Sequence, residues 1–528
     1  MAASHHAIGS SKSISHVAPE RGERNDGVVE FVVQRNNLKM SRRAAIDRAT
    51  NYLDSGVFRA LLSRLVATQS ESQNAERRKQ NADYLDDLQR MLEELGFDCR
   101  LLTAADARFL YAERIESREL LTVLGYGHGD VVRGLDGCWT GGMSPWTLAE
   151  ANGRWYGRGT ADNKGQHAIN ITSLRAVLET RGRLAFNAKF LIEMGEEIDS
   201  PGLRELCTMH GDLFRADLFV ASDGPRLSEH QPTIFLGSRG CITFDISITA
   251  REGAHHSGNW GGLLSDPAVQ LAHALAAIVS STGRILIPAW VPTELPESVR
   301  RVLSDCDVDG GPDGPTIDPE WGEPQLSPAE QVYGWCSFDV LAMKSGNPEA
   351  PVAAIPPSAW ARCQLRFVVG VDPDNILPAL RRHLSRHGFD MVSVTPSPDD
   401  GLFLATRLDP DDPWVRWAEA SIARTTQKVP AILPNLGGSL PNDIFANILK
   451  LRTLWVPHAH PGCRQHATDE HLPIALAREA LGIMAGLYWD FGEEQTLPPT
   501  SRDFLPAGET GRRSNRRTAT NCGPSSGR

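Results

Sequence analysis

Four short apolar runs constrain the fold of this chain more than any other feature of its sequence. They cover 120–126, 188–192, 218–221 and 453–457. Each run has the length of a buried strand, and chemically reactive side chains follow it directly. Helical patterns lie between the runs, at about 165–181 and 201–210. The repeated order of strand, polar loop and helix predicts an open α/β sheet that binds ligands beyond the carboxyl ends of its strands.

Amphipathic patterns on either side of these runs predict the helices that cover the sheet. Residues 42–97 carry apolar side chains at helical spacing, and similar patterns recur at 413–426 and near 472–489. We therefore expect one catalytic α/β domain, formed by 42–235 and 399–494.

The residues between these two parts have a different character. Strand patterns with one polar face occur at 233–236, 242–250 and 361–369, and helical patterns occur at 269–279 and 375–386. The sequence predicts an inserted α+β domain over 236–398. Within it, 292–330 is rich in Pro, Gly and Asp, and we interpret it as a surface loop or lid.

Bulk properties narrow the functional class. A chain of 528 residues exceeds the size at which one hydrophobic core keeps growing. It has no apolar stretch near the roughly 20 residues that cross a bilayer, so we expect no membrane partner. The formal net charge of −11 disfavours nucleic acid as a partner.

The cysteines and the chain ends complete this outline. Nine cysteines occur singly, without a C-x-x-C motif, which predicts a reducing compartment and hence the cytoplasm. Residues 1–41 and 495–528 have the composition of disordered extensions, and Met40 is an alternative start.

The first reactive group follows the run at 120–126. His128 is a natural zinc ligand, and Asp130, two residues on, is placed to fix its tautomer. A loop histidine that caps a helix is the simpler alternative for this triplet.

The most specific segment is Y-G-R-G-T-A-D-N-K-G at 156–165. Its glycines permit tight backbone geometry before Asp162, and a helical pattern follows. A carboxylate has two oxygens, so Asp162 is suited to bridge two cations. The alternative is that Asp162 only caps the helix, although Thr160 would cap it equally well.

Adjacent acids follow the run at 188–192. Glu196 and Glu197 should raise each other's pKa unless cations lie between them. One of the pair can bind metal while the other transfers protons, whereas the alternative is a solvated acidic loop. Asp223, just after the run at 218–221, would by itself be an ordinary acid at a strand end.

Histidines are crowded near the carboxyl end of the chain, and their spacing alone does not select a ligand. The four candidates are His458, His460, His466 and His471.

Together these motifs resemble the M20 family of metallopeptidases, which includes carnosinase-like dipeptidases, acetylornithine deacetylase and succinyl-diaminopimelate desuccinylase. The resemblance covers roughly 50–490. Its motifs are G-H-G-D-V-V (127–132), Y-G-R-G-T-A-D-N-K-G (156–165), G-E-E-I-D-S-P-G-L (195–203), S-D-G (222–224), H-H-S-G (255–258), G-G-S-L-P (437–441) and H-A-T-D-E (466–470).

The resemblance implies a role for each matching position. Asp162 would bridge two divalent cations, with Glu196 as general acid/base and Asp130 orienting His128. His466 is preferred among the four histidines because Glu470 follows it four residues later, as in the family. The peptide bond after Asp162 would be cis. The metal ligands would be His128 and Asp223 for one ion, Glu197 and His466 for the other, and Asp162 for both.

The family fold is a zinc-exopeptidase-like α/β catalytic domain interrupted by a lid domain that often forms a homodimer. His256 of the lid would stabilise the oxyanion in the partner's active site. Arg366 of the lid would bind a substrate carboxylate together with the turn formed by Gly437, Gly438 and Ser439.

The sequence therefore predicts a two-metal hydrolase, with Zn²⁺ or alternatively Co²⁺ or Mn²⁺, that cleaves an amide bond next to a free carboxylate. A dipeptidase or exopeptidase acting on a small peptide is the first expectation. An N-acyl-amino-acid deacylase is the alternative within enzymes, and a catalytically silent dimeric scaffold is the alternative outside them.

Overall fold

The computed structural model describes residues 40–308, 315–397 and 402–499. Most of the two predicted disordered extensions, 1–39 and 500–528, lies outside the described residues. Near the carboxyl end, the described chain includes a 3₁₀ turn at Glu494–Thr496.

The first part of the catalytic domain alternates helices and strands. Its helices are α1 (Arg42–Asp54), α2 (Val57–Ala67), α3 (Arg78–Glu94), α4 (Lys164–Arg181) and α5 (Leu203–Met209). Its strands are β1 (Asp98–Ala104), β2 (Ala107–Arg114), β3 (Thr122–His128), β4 (Ala149–Ala151), β5 (Arg154–Tyr156), β6 (Asn187–Glu193), β7 (Leu218–Ala221) and β8 (Thr233–Phe235).

An inserted α+β unit follows, as predicted. Its strands are β9 (Gly240–Thr249), β10 (His255–His256), β11 (Ser337–Ser345), β12 (Ala354–Ile355), β13 (Ser358–Phe367) and β14 (Ser393–Pro396). Its helices are α6 (Ser257–Trp260), α7 (Pro267–Ile278), α8 (Glu297–Leu303), α9 (Pro328–Gly334) and α10 (Ile376–Arg386). Strands β11, β13, β9 and β14 form an antiparallel sheet in that order.

The catalytic domain then resumes and closes the central sheet. Its remaining elements are α11 (Pro413–Thr426), β15 (Ala431–Leu433), β16 (Thr453–Trp455), β17 (His471–Pro473) and α12 (Ile474–Phe491). The eight strands of this sheet run in the order β1-β2-β6-β3-β7-β16-β8-β15. Its centre, β6-β3-β7-β16, is parallel, and antiparallel pairing occurs at β1-β2, β2-β6 and β16-β8. The mostly parallel α/β fold is confirmed.

Both faces of the sheet are buried, which explains why its strands are continuous apolar runs. Neighbouring strand residues point to opposite faces. Val123 belongs to the hydrophobic cluster on one face, which includes residues of α1, α4, α11 and α12, whereas Leu124 belongs to the cluster on the other face, which includes residues of α5. Within the described ranges, no helix is both long enough and apolar enough to span a membrane.

Two local expectations were wrong. The run at 233–236 was predicted to have one polar face, but β8 is buried between β16 and β15 inside the central sheet. The segment 292–330 was interpreted as a surface loop or lid, but it contains α8. Val299 and Leu303 of α8 are buried against the catalytic domain. Helical spacing places these two side chains on the same face of α8, and this face covers the sheet.

Candidate metal centre

The predicted metal ligands meet at one edge of the central sheet. His128 is the last residue of β3, Glu196 and Glu197 form a 3₁₀ turn shortly after β6, and Asp223 follows β7. Strands β6, β3 and β7 are parallel neighbours, so their carboxyl ends lie side by side.

Asp162 lies between the two histidines of the predicted ligand set. Its Oδ1 is 3.2 Å from His128 Nε2, and its Oδ2 is 3.2 Å from His466 Nε2. One carboxylate thus presents one oxygen to each half of the site, which is the arrangement that a bridging ligand requires.

The other acids divide between the same two halves. Asp223 Oδ2 is 3.5 Å from His128 Nε2, and Glu197 Oε2 is 3.0 Å from His466 Nε2. Glu196 Oε2 is farther from the histidine than the other acids, at 4.0 Å from His128 Nε2. This division matches the pairing implied by the family resemblance.

Buried polar atoms in this cluster fit a metal site. His128 Nε2, Glu197 Oε1 and Asp223 Oδ2 are buried and make no hydrogen bond within the described part of the chain. Burying such atoms without hydrogen bonds costs free energy, whereas divalent cations would satisfy them. The imidazole and carboxylate groups are suitable ligands for Zn²⁺, Co²⁺ or Mn²⁺.

The helix-cap alternative for Asp162 does not describe this structure. Helix α4 begins at Lys164, and its N-cap residue Asn163 makes no side-chain capping bond. Thr160 donates its hydroxyl to the Gly157 carbonyl instead of capping the helix. The peptide bond between Asp162 and Asn163 is cis, as the resemblance implies.

Glu470 organises the loop that carries Asp162. Its carboxylate accepts hydrogen bonds from the backbone N–H groups of Gly159, Ala161 and Asp162, and Arg158 donates to the same group at 2.8 Å. In the sequence analysis, Glu470 served only to identify His466 as the ligand histidine, and no role was predicted for Glu470 itself. Its position four residues after the ligand histidine was the available signal.

Asp130 contributes more than the predicted orientation of His128. His128 Nδ1 is 3.1 Å from the backbone carbonyl of Asp130 and 3.4 Å from its carboxylate. The same carboxylate accepts the backbone N–H groups of Glu196 and Glu197 at 3.2 and 3.1 Å. Asp130 therefore connects the histidine of one half to the acidic pair.

The protonation of the cluster reflects its density of like charges. Burial raises the pKa of Glu197 to about 7 and raises that of Glu196 well above its usual range, with neighbouring carboxylates adding to the shift. Burial opposes charge on His128, but Asp130, Asp162 and Asp223 together raise its pKa well above its usual range. Cations among these carboxylates would remove the repulsion between them.

The four histidines near the carboxyl end have different environments. Of these four histidines, His466 is the one that contacts the acids of the candidate metal centre, namely Asp162 and Glu197. His458 Nε2 lies 3.0 Å from the hydroxyl of Ser222. His460 and His471 belong to a separate group of side chains with Cys463.

Two of the predicted substrate-binding residues, Arg366 and Ser439, are in contact. Arg366 in β13 donates to the Ser439 hydroxyl at 3.0 Å. Arg239, which the sequence did not single out, donates to the Gly437 carbonyl at 2.7 Å and to the Ser337 hydroxyl at 3.3 Å. Burial, followed by the nearby charge of Arg366, lowers the pKa of Arg239 to about 10.

These two arginines form a cationic group beside the turn at 437–439. In the described part of the chain, the side-chain hydrogen bonds of Arg239 and Arg366 go to a carbonyl and to hydroxyl groups, and none goes to a carboxylate. The group can therefore receive an anion. Gly438 lies within the same turn, next to Ser439.

His256 is separated from this arrangement. It lies in β10 of the insert with an exposed side chain, and its Nδ1 accepts the Gly258 N–H at 3.1 Å. Among the described residues, no hydrogen bond or ion pair joins His256 to the metal ligands of the same chain.

Comparison with known proteins gives a consistent result. The family model of Peptidase family M20/M25/M40 matches residues 124–490. Beta-Ala-His dipeptidase of Mus musculus is 35% identical over 206 residues, which make up 38% of this chain and 41% of that protein. The chain thus spans about two fifths of this relative's length.

Two further proteins match over greater lengths. Succinyl-diaminopimelate desuccinylase of Maricaulis maris is 25% identical over 423 residues, covering 78% of this chain and 92% of that protein. The crystal structure of human carnosine dipeptidase 1 superposes with a TM-score of 0.70 at 23% identity, over 85% of this chain and 99% of that chain. At this identity the superposition shows a shared fold.

Proposed function

Because this chain belongs to peptidase family M20/M25/M40, we propose that it is a two-metal hydrolase that cleaves the amide bond of a dipeptide or other small peptide next to a free carboxylate. The observation that carries the proposal is the position of Asp162. Its two oxygens face His128 on one side and His466 on the other, each at 3.2 Å.

Two divalent cations, which we propose to be Zn²⁺, would be held by five side chains. When bound, such ions polarise a carbonyl group and lower the pKa of water. Asp162 would serve both ions. His128 and Asp223 would complete the ligand set of one ion, and Glu197 and His466 that of the other.

Glu196 would transfer the protons. Its carboxylate is largely buried and lies beyond the closest ligand contacts, at 4.0 Å from His128 Nε2. A carboxylate in this position can accept a proton from the attacking water and then donate it to the leaving nitrogen. Asp130 would keep Glu196 in position through its hydrogen bond to the Glu196 N–H.

The arginine group would bind the free carboxylate of the substrate. Arg366 and Arg239 offer guanidinium donors beside the Ser439 hydroxyl and the Gly437–Gly438 backbone. A planar guanidinium matches the two oxygens of a carboxylate. Substrates with a free carboxylate would therefore be preferred over their amides.

We propose that the enzyme is a homodimer formed through the insert. Strand β11 is an edge of the insert sheet, and it exposes Val340, Leu341 and Met343. An exposed apolar edge strand is suited to pairing with a second chain. In that dimer His256 would stabilise the oxyanion in the partner's active site.

We place the enzyme in the cytoplasm. None of the eight cysteines in the described ranges forms a disulfide, and five of them are buried. Free cysteines are typical of proteins from reducing compartments.

A hydrolysis screen with and without a chelator tests the proposed activity. The metal-loaded protein should release both amino acids from dipeptides, and the chelator should abolish the release. Dipeptides whose terminal carboxylate is amidated should be poor substrates. If no dipeptide is cleaved under any metal loading, the proposed activity is wrong.

The alternative is an N-acyl-amino-acid deacylase. It is favoured by the match that covers 92% of the Maricaulis maris desuccinylase. The same screen should include N-acetyl and N-succinyl amino acids, which lack a free amine. Faster turnover of these substrates than of dipeptides would assign the site to a deacylase. A silent scaffold would bind no metal at all.

A further inference from the structure

A second group of metal-binding side chains lies outside the proposed dinuclear centre. His460, Cys463 and His471 are all buried, and one potential ligand atom from each lies within 4.8 Å of the other two. None of the three has a role in the proposed hydrolysis.

The hydrogen bonds around the two histidines indicate which ring nitrogen of each carries the proton. The Nδ1 of His471 is 2.9 Å from the Asp469 carbonyl, which can only accept a hydrogen bond. His471 therefore carries its proton on Nδ1, and the lone pair is on Nε2. A histidine whose one ring nitrogen donates to a carbonyl is the usual arrangement of a metal ligand.

His460 has the opposite tautomer, with its proton on Nε2. Its Nδ1 accepts the Gly462 N–H at 3.1 Å, so the proton lies on Nε2, which is 3.8 Å from the Glu229 carboxylate. The lone pair of His460 is thus on Nδ1, and a bound ion would take the place of the Gly462 amide. Glu229 would then hold the histidine from behind, as carboxylates do in many zinc sites.

Cys463 supplies the third side chain. Its Sγ accepts the backbone N–H of His460 at 3.4 Å. Burial raises the pKa of this thiol to about 12, so the cysteine is protonated without metal, and binding of a soft cation would release the proton.

The group lies directly behind the loop that carries the bridging aspartate. Cys463 packs against Ala161, the residue before Asp162. His471 pairs with Tyr156 between β17 and β5, and Glu470 binds the 159–162 backbone. An ion bound here would hold the two ends of the segment 460–471 together, and this segment carries His466 and contacts the loop that carries Asp162.

We propose that His460, Cys463 and His471 form a third, mononuclear site for a divalent transition metal of the zinc type. Two imidazoles and one thiolate favour such ions over Mg²⁺ or Ca²⁺. A tetrahedral zinc ion holds nitrogen and sulfur ligands about 3.5 Å apart, so side-chain atoms that lie within 4.8 Å of one another would need to move closer by about 1 Å at most. The ion would have a structural role in supporting the dinuclear centre.

Cobalt substitution tests this site without measuring turnover. The full-length protein, stripped of metal and titrated with Co²⁺, should bind three ions per chain and show a thiolate-to-cobalt charge-transfer band in the near ultraviolet. The proposed dinuclear ligands contain no sulfur, so this band reports the third site alone. The result is independent of whether the protein hydrolyses dipeptides.

Two variants complete the experiment. Cys463→Ser should lose the band and bind two Co²⁺ ions, whereas Cys207→Ser, at another buried cysteine, should keep both the band and the third ion. The proposal is overturned if the unmodified protein shows no charge-transfer band after saturation with Co²⁺. A band that persists in Cys463→Ser would also overturn it. Because the first measurement uses the unmodified chain, poor folding of a variant does not leave the proposal untested.

Discussion

At the scale of single residues, one buried carboxylate holds the loop that carries Asp162. Glu470 accepts hydrogen bonds from three backbone N–H groups, those of Gly159, Ala161 and Asp162, and also pairs with Arg158. Hydrogen bonds to a charged group are stronger than those between neutral groups. Asp162 is therefore positioned before any ion binds.

Replacing Glu470 with Gln should weaken metal binding. The amide NH₂ of Gln cannot accept from the backbone, so at least one of these N–H groups would lose its partner. Loss of such supporting contacts costs about 10- to 100-fold in metal affinity. Competition with a metal indicator should measure the change. Glu205→Gln, on an exposed helix position, is the control and should bind metal normally.

A second prediction concerns acid stability. Burial lowers the pKa of His167 to about 3, and its ring hydrogen-bonds to Tyr84 and Asn163. An unfolded histidine titrates near pH 6.5, so between about pH 3 and 6.5 the unfolded chain binds a proton that the folded chain excludes. The free energy of unfolding should therefore fall as the pH falls, by up to about 1.4 kcal/mol per pH unit from this residue.

Urea unfolding of the metal-free protein between about pH 5 and 6 measures this contribution. His167→Gln should have a shallower pH dependence than the unmodified chain. His210→Gln, at an exposed histidine, should leave the slope unchanged. Equal slopes in all three proteins would contradict the assignment.

At the scale of elements, the insert is joined to the catalytic domain by more than its two chain connections. Helix α8 buries Leu303 and Val299 in the same cluster as Leu433 of β15 and Phe445. This helix lies in a segment whose composition suggested a loop. It makes part of the insert a fixed cover over one face of the central sheet.

Leu303→Ala should destabilise the catalytic domain. Truncating a buried leucine typically costs about 2 to 5 kcal/mol. Leu101→Ala, at an exposed position of β1, is the matched control and should change stability far less. Thermal unfolding of both variants provides the comparison, and equal melting temperatures would show that α8 is not part of the core.

The elements differ in how well local sequence predicts them. Helix α11 has the bounds predicted from its periodicity, 413–426, because an amphipathic helix shows its buried face every turn. The roles of α8 and of Arg239 were not predictable in this way. Leu303 meets Leu433, and Arg239 meets Gly437, across more than a hundred residues of sequence. Periodicity carries no information on such distant partners.

The metal ligands were predictable for a different reason. Each follows a strand, and parallel neighbours bring their carboxyl ends together, so sequence order already implied that His128, Glu197 and Asp223 would meet. The choice of His466 among four histidines needed the family motif, because the spacing of the histidines alone does not identify the ligand.

At the scale of the whole molecule, we propose that two chains together complete the site. His256 is exposed on the insert, and within the described residues it forms no hydrogen bond or ion pair with the proposed metal ligands of its own chain. If it acts in the partner's site, two defective chains should complement each other in a mixed dimer.

Mixing Glu196→Gln with His256→Ala after subunit exchange should restore activity. Each mixed dimer would contain one intact site, so random exchange should recover about a quarter of the unmodified activity. If His256 acts only within its own chain, the mixture should be as inactive as its components.

The most direct test of the dinuclear mechanism measures bound metal and turnover together in two variants. Glu196→Gln should retain two metal ions per chain and lose most of its dipeptide hydrolysis, because it keeps the ligands and removes only the proton-transfer group. Asp162→Asn should lose the metal pair along with the activity. Full activity in Glu196→Gln, or two tightly bound ions in Asp162→Asn, would contradict the roles assigned to these residues.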